Sequence, residues 1–83
     1  MIRVLFFARI RDQLGVSDLE IELTEGVHNL SQFTAHLISE NPAFGDILTQ
    51  PNVLVAINQE FGSAETTVED GDEIAYFPPV TGG

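Results

Sequence analysis

The sequence predicts an α+β domain in which one main helix packs on one face of a mixed sheet. Three observations carry that prediction. Short apolar runs of strand type stand before and after a single segment with helical periodicity. The first two of these runs lie too close together for a long crossover, so they pair antiparallel. The chain, at 83 residues, also has length for one core only. A domain of that size buries about 60–65% of its unfolded surface, which leaves modest stability and no room for a separate catalytic domain.

Each element follows from its own pattern. Ile2 to Ala8 is apolar apart from Arg3 and reads as a central strand buried on both faces. A short helical turn covers Arg9 to Leu14 and stops at Gly15, the residue that best accepts a left-handed cap. From Asp18 to Leu23 acidic and apolar residues alternate strictly, turning Leu19, Ile21 and Leu23 to the core and the acids to water. Leu30, Phe33, Thr34, Leu37 and Ile38 then share one helical stripe, with Asn29 and Gln32 spaced as a capping box and Asn41-Pro42 as the stop.

Val53 to Ile57 is a second strand of the buried type, and Asn58-Gln59-Glu60 is its turn, with Phe61 at that turn. Thr66-Thr67-Val68 reads as a short edge strand. Asp70-Gly71-Asp72 marks a turn, and Glu73 to Phe77 is the last strand. A right-handed crossover through the helix sets the last strands beside the first. This β-β-α-β-(β)-β order is the β-grasp, or ubiquitin-like, arrangement. Residues 1–77 form the domain, and residues 78–83 form an extended, flexible tail that ends in Gly-Gly.

Composition excludes several classes of function. Apolar residues are 43% and charged residues 19% of the chain, a globular rather than a disordered balance. Thirteen acids against three arginines give a net charge of −10. Neither nucleic acid nor an anionic membrane surface finds the basic stripe it needs; a partner with a basic face does find attraction. The absence of cysteine removes disulfides, thiolate metal sites and thiol nucleophiles together. The apolar start is too short for a signal segment and is closed by Arg9, so the chain is expected to be cytoplasmic and unprocessed.

The body of the chain carries no enzyme constellation. His28 and His36 lack a metal-ligand spacing, and no metal site is expected. Ser17, Ser31, Ser39 and Ser63 have no nucleophile elbow. The acidic run Glu69 to Glu73 lacks the ligand pattern of a calcium loop and reads as a solvated turn. The end of the sequence is different. Pro78-Pro79 forbids further sheet pairing and holds the tail extended through Val80 and Thr81. Gly82-Gly83 then presents a carboxylate on a thread without side chains, able to enter a narrow tunnel in another protein.

Three stretches, RVLFFARIRDQLG (3–15), VLVAINQEF (53–61) and DGDEIAYFPPVTGG (70–83), resemble the small-subunit family of molybdopterin synthase. The terminal FPPVTGG is the most specific of them, and Asp12 stands where the family more usually has Glu. The resemblance implies a sulfur carrier. A separate activating enzyme uses ATP to adenylate Gly83, and sulfur from a donor such as a cysteine desulfurase or a rhodanese-like protein displaces AMP to leave a thiocarboxylate. The loaded chain then gives its sulfur to a cyclic pterin precursor (cyclic pyranopterin monophosphate), and two such sulfurs build the dithiolene of molybdopterin.

That transfer would take place in the large subunit, within a heterotetramer of two small and two large subunits. The catalytic pocket belongs to the large subunit, and this chain binds no cofactor of its own. Phe7, Arg11, Phe61 and Phe77 stand at matching motif positions and are expected at the partner interface; Phe6, alternating to the opposite face, is expected in the core. Other readings of the same pattern are a carrier for thiamine synthesis or tRNA thiolation, a ubiquitin-like modifier joined to lysines through Gly83, and a plain interaction domain.

Overall fold

The first strand and the last described one meet inside one sheet. In the computed structural model, which describes residues 1–79, β1 (Ile2–Phe6) runs parallel to β5 (Glu73–Phe77), with Val4 opposite Ile74 and Phe6 opposite Tyr76. β2 (Asp18–Ile21) pairs antiparallel with the free side of β1. On the other side β5 pairs antiparallel with β3 (Leu54–Ile57), and β3 with the two-residue β4 (Glu60–Phe61). The order is β2-β1-β5-β3-β4, a mixed five-stranded sheet. The expected β-grasp arrangement is therefore present.

One face of this sheet carries the core. Ile2, Val4 and Phe6 of β1 and Ile74 and Tyr76 of β5 are buried there, against Leu30, Phe33 and Leu37 of α2 (Leu30–Glu40) and Ile10 of α1 (Ala8–Leu14). The expectation that β1 is buried on both faces does not hold: Arg3 is exposed and Leu5 only half-buried, because the helices cover a single face. β1 also ends sooner than expected. Ala8 adopts φ +52°, and this left-handed step turns the chain out of the sheet and into α1. Gly15, at φ +74°, closes α1 by donating its N–H to the Arg11 carbonyl at 2.9 Å.

The start of α2 shows how a helix end is satisfied by chain from elsewhere. An α-helix leaves its opening N–H groups without internal partners. Here Leu30 and Ser31 donate to the carbonyls of Thr66 and Ala64, each at 3.0 Å. Gln32 donates to Asn29 Oδ1 at 2.8 Å, and its own side chain accepts from the His28 N–H at 2.7 Å, one residue before the position a capping box would use. The segment around Thr67 is thus committed to α2. It makes only an isolated bridge, Thr67 to Asn29, and is no strand of the sheet. The short edge strand beside β3 is Glu60–Phe61 instead, with β2 at the opposite edge.

After Asn41 the chain forms a 3₁₀ turn over Pro42–Phe44 and a short helix α3 (Gly45–Leu48), neither of which the periodicity announces. Their apolar residues close the core: the Phe44 ring meets Phe6 edge-on at 5.7 Å between centroids, and Leu48 is buried. Tyr76 stacks on Phe6 from the other side at 5.8 Å. Its hydroxyl sits 2.6 Å from the Thr34 hydroxyl, so each of these part-buried groups has a partner.

Burial of Tyr76 pushes its phenol up to about 12, because the charged phenolate would lose its hydration; the Thr34 hydrogen bond opposes this weakly. In an unfolded chain the same group ionises near pH ~10. The protonated phenol therefore stabilises the fold fully below about pH 10, and that contribution is lost as the pH rises toward 12. Urea unfolding at stepped pH should show wild-type stability falling across this window. Tyr76→Phe, which loses about 1 kcal/mol with the hydrogen bond, should lack that component of the fall.

Candidate functional site

The second face of the sheet is apolar toward its Phe77 end, and among the described residues no helix lies over it. Cross-strand register sets Leu5, Ala75, Ala56 and Phe61 in one row across four strands, from β1 to β4. The next row places Phe77 opposite Leu54. Phe7 continues β1 by one extended residue, its N–H donating to the Tyr76 carbonyl at 3.1 Å, and its ring is 46% exposed. Phe61 is 72% exposed, and its ring lies 5.6 Å from that of Phe77 at a tilt of 48°. Ala56, its cross-strand partner, is buried yet lies outside the main core, beneath this aromatic pair.

This face gathers three of the residues singled out by sequence. Phe7, Phe61 and Phe77 share it, whereas Phe6, one residue from Phe7, is buried on the other side. Phe61 belongs to β4 rather than to the turn, because the turn is confined to Asn58 and Gln59, at φ +50° and +69°. Leu5, Leu54 and Ala75, half-buried, join them on this face over the buried Ala56, and none of the four is singled out by the motif stretches. Their signal lies in the pattern of the strands: runs apolar on both alternations need cover on both faces, and the predicted helix can supply only one.

Arg11 lies in the last turn of α1 with its guanidinium half-exposed, and its Nε is 3.6 Å from Asp12 Oδ1. Both groups are well solvated, so the pair contributes little to stability and leaves the guanidinium donors available. Acids border the face along β2, where Asp18 stands opposite Leu5 and Glu20 opposite Arg3. An apolar centre edged by carboxylates fits a partner surface that is apolar at its middle and basic at its rim.

Pro78 and Pro79 follow β5 directly and are half-buried. Val80, Thr81, Gly82 and Gly83, expected to form the tail, lie outside the described residues. The other sequence candidates have local duties. His36 is 3.1 Å from the Thr24 hydroxyl and 3.0 Å from Glu40 Oε1, joining the chain after β2 to the end of α2. In the acidic turn Asp72 accepts from the Glu69 N–H at 2.7 Å, and the Met1 amino group beside Asp70 holds that carboxyl below the usual range. Among the described residues no group of three or more His, Cys, Asp or Glu is placed to hold a metal ion, and no helix is long and apolar enough to cross a membrane.

A helix gripped by a mixed sheet, with the opposite sheet face apolar and open, defines a β-grasp protein of the ubiquitin-like kind. Within that class the chain belongs to the ThiS family, whose model matches residues 4–83. It is 40% identical to the molybdopterin synthase sulfur carrier subunit of Haemophilus influenzae over the whole length of both chains. The small archaeal modifier protein SAMP1 of Haloferax volcanii shares the fold, with a TM-score of 0.81 at 23% identity over 99% of this chain and 98% of that one. A chain in the complex of subunits 1 and 2 of molybdopterin-converting factor from Helicobacter pylori aligns with a TM-score of 0.68 at 25% identity, covering 99% and 97% of the two chains. The family resemblance carried by the two ends and β3 thus extends across the sequence.

Because the Phe61 ring packs on a neighbour but not in the core, its removal should barely affect folding. Phe61→Ala is expected to change unfolding free energy by about 0.5 kcal/mol or less, measured by urea titration. Phe6→Ala, in the core, should lose about 3–5 kcal/mol.

Proposed function

We propose that this chain is the sulfur carrier subunit of a molybdopterin synthase, and that it delivers sulfur as a thiocarboxylate on Gly83. The observation that carries this reading is the full-length match, at 40% identity, to a subunit of that name. The sequence also supports the chemistry. With no cysteine and no lysine, the chain has no side-chain thiol or ε-amine to compete with the Gly83 carboxylate as carrier or to capture it once activated.

A carboxylate is a poor electrophile, so a leaving group must be installed before sulfur can attack. In the proposed cycle an adenylating enzyme joins the Gly83 carboxylate to the AMP moiety of ATP and releases pyrophosphate. The terminal sulfur of a persulfide on the donor protein then attacks the acyl carbon and expels AMP. A thiol cleaves the S–S bond of the acyl disulfide so formed, leaving a disulfide on the donor and freeing the thiocarboxylate. The thiocarboxylate enters the large subunit and its sulfur bonds to the cyclic pterin precursor. Water then cleaves the acyl–sulfur bond and restores the carboxylate, and a second loaded chain supplies the other sulfur of the dithiolene. Gly82 and Gly83 suit passage into a narrow channel because they carry no side chains. Pro78 and Pro79 suit presentation of the tail away from the sheet because they cannot extend β5 with further hydrogen bonds.

The outer face serves as the grip in this proposal. Phe7, Phe61 and Phe77 are the apolar anchors, and Arg11 offers a charged fork to a carboxylate or carbonyl of the partner. The two small subunits would each dock on one of two large subunits, with the cytoplasm as the site of synthesis.

Intact-mass measurement of the protein isolated from its host should show a fraction heavier by one sulfur-for-oxygen exchange, localised to the peptide ending at Gly83. Deletion of Gly82 and Gly83 should abolish dithiolene formation in an assay reconstituted with the large subunit, while circular dichroism stays unchanged. An ordinary carboxylate on every molecule, after incubation with ATP, a sulfur source and host extract, would end this reading. Lysine-linked adducts that survive thiol reductant would point to a modifier instead.

A further inference from the structure

We propose that Asn58 is a positioning residue for the interface: its side chain ties the β3–β4 hairpin to the turn before β5, and so holds Phe61 beside Phe77. The inference rests on the reading of the outer face as the partner surface.

β4 is too short to hold itself in place. It contributes two residues, paired as Ala56 with Phe61 and Ile57 with Glu60, and the ladder is extended only by the Gly62 N–H donating to the Val55 carbonyl at 3.0 Å. A hairpin of this size is marginal by itself. The Phe61 ring, 72% exposed, has little packing to define it beyond the Phe77 ring. Yet an aromatic anchor binds well only when its position is set in advance, since ordering it on contact subtracts from affinity.

The bracket that supplies this order starts at Asn58. Its φ of +50°, followed by +69° at Gln59, gives the doubly left-handed turn that suits a two-residue hairpin. Glycine would satisfy that backbone with less strain, so the presence of asparagine asks what its side chain does. It makes two hydrogen bonds across the sheet end. Asn58 Oδ1 accepts from the Glu73 N–H at 3.0 Å, and Nδ2 donates to Asp72 Oδ1 at 3.0 Å. The Asn58 N–H also donates to the Glu73 carbonyl at 2.8 Å. Asp72 in turn accepts from the Glu69 N–H through its other oxygen, so the pull on the hairpin ends in a second closed turn. Asn58 leads through Gln59 and Glu60 to Phe61, while Glu73 begins the strand that ends at Phe77. One side chain thus couples the two segments that bear the aromatic pair.

Asn58→Gly is the discriminating variant, because it keeps a backbone that accepts positive φ and removes only the tether. Its fold is checked by circular dichroism. Isothermal titration with the large synthase subunit should show affinity falling about three- to tenfold, and the nuclear Overhauser contacts between the Phe61 and Phe77 rings should weaken. Phe61→Ala should also bind more weakly, and the Asn58→Gly/Phe61→Ala double variant should bind no worse than Phe61→Ala alone, since the tether acts through that ring. Unchanged affinity or undiminished ring contacts in Asn58→Gly overturn the inference, as do losses that add in full. If Phe61→Ala binds like wild type, the interface reading at Phe61 fails first and the inference falls with it.

Discussion

The pairing of β1 with β5 is the contact on which the other elements depend. The strands are parallel and lie at opposite ends of the sequence, so the chain must leave the sheet, cross it and return. α2 makes that crossing, from β2 beside β1 toward β3 beside β5, and its buried stripe of Leu30, Phe33 and Leu37 shares one core with the pair it passes over. Phe6 and Tyr76 face each other across the pairing, and the Tyr76 hydroxyl reaches Thr34 on the helix. Strand, strand and helix are thereby fixed at a single locus. Phe44 then closes on Phe6 from the connection that follows α2.

The same arrangement explains why half of the sheet remains open. β1, β3 and β5 carry apolar residues on both alternations, but every helix lies on one side. Apolar side chains on the second face therefore remain at the surface, and a contiguous patch of this kind in a small protein marks a place of contact. The net charge of −10 opposes contact between two copies and favours encounter with a basic surface over distance. In the proposed docking, attraction over distance and an aromatic grip at contact are separate contributions.

Elements with a strong local signal are legible in the sequence alone. Gly15 ends α1, Asn29 caps α2, and the alternation from Asp18 fixes which side of β2 meets the core. The features that escape such a reading lack local signals. β4 is two residues long, too short for any period, and α3 follows a proline-led turn whose apolar residues show no stripe. Thr66 to Val68 has the composition of a strand, but its neighbourhood supplies carbonyls to the open end of α2, a tertiary demand that overrides composition. At the site, Phe7, Phe61 and Phe77 are found through motif positions, whereas the Asn58 bracket is not. Its partners Asp72 and Glu73 are 14 and 15 positions away, and nothing in their spacing reveals the contact.

β5 is the central strand of the sheet and also the last element in chain order. During synthesis β1 and β3 therefore wait without the neighbour that joins them, and the sheet closes only after Phe77 has left the ribosome. The residues that follow β5 emerge later still. In the proposed cycle, a carrier made in this order offers its tail only when the domain that identifies it is ready to assemble. An activating enzyme that recognises the folded sheet would thus pass over incomplete chains, and the order of translation would itself act as a proofreading step.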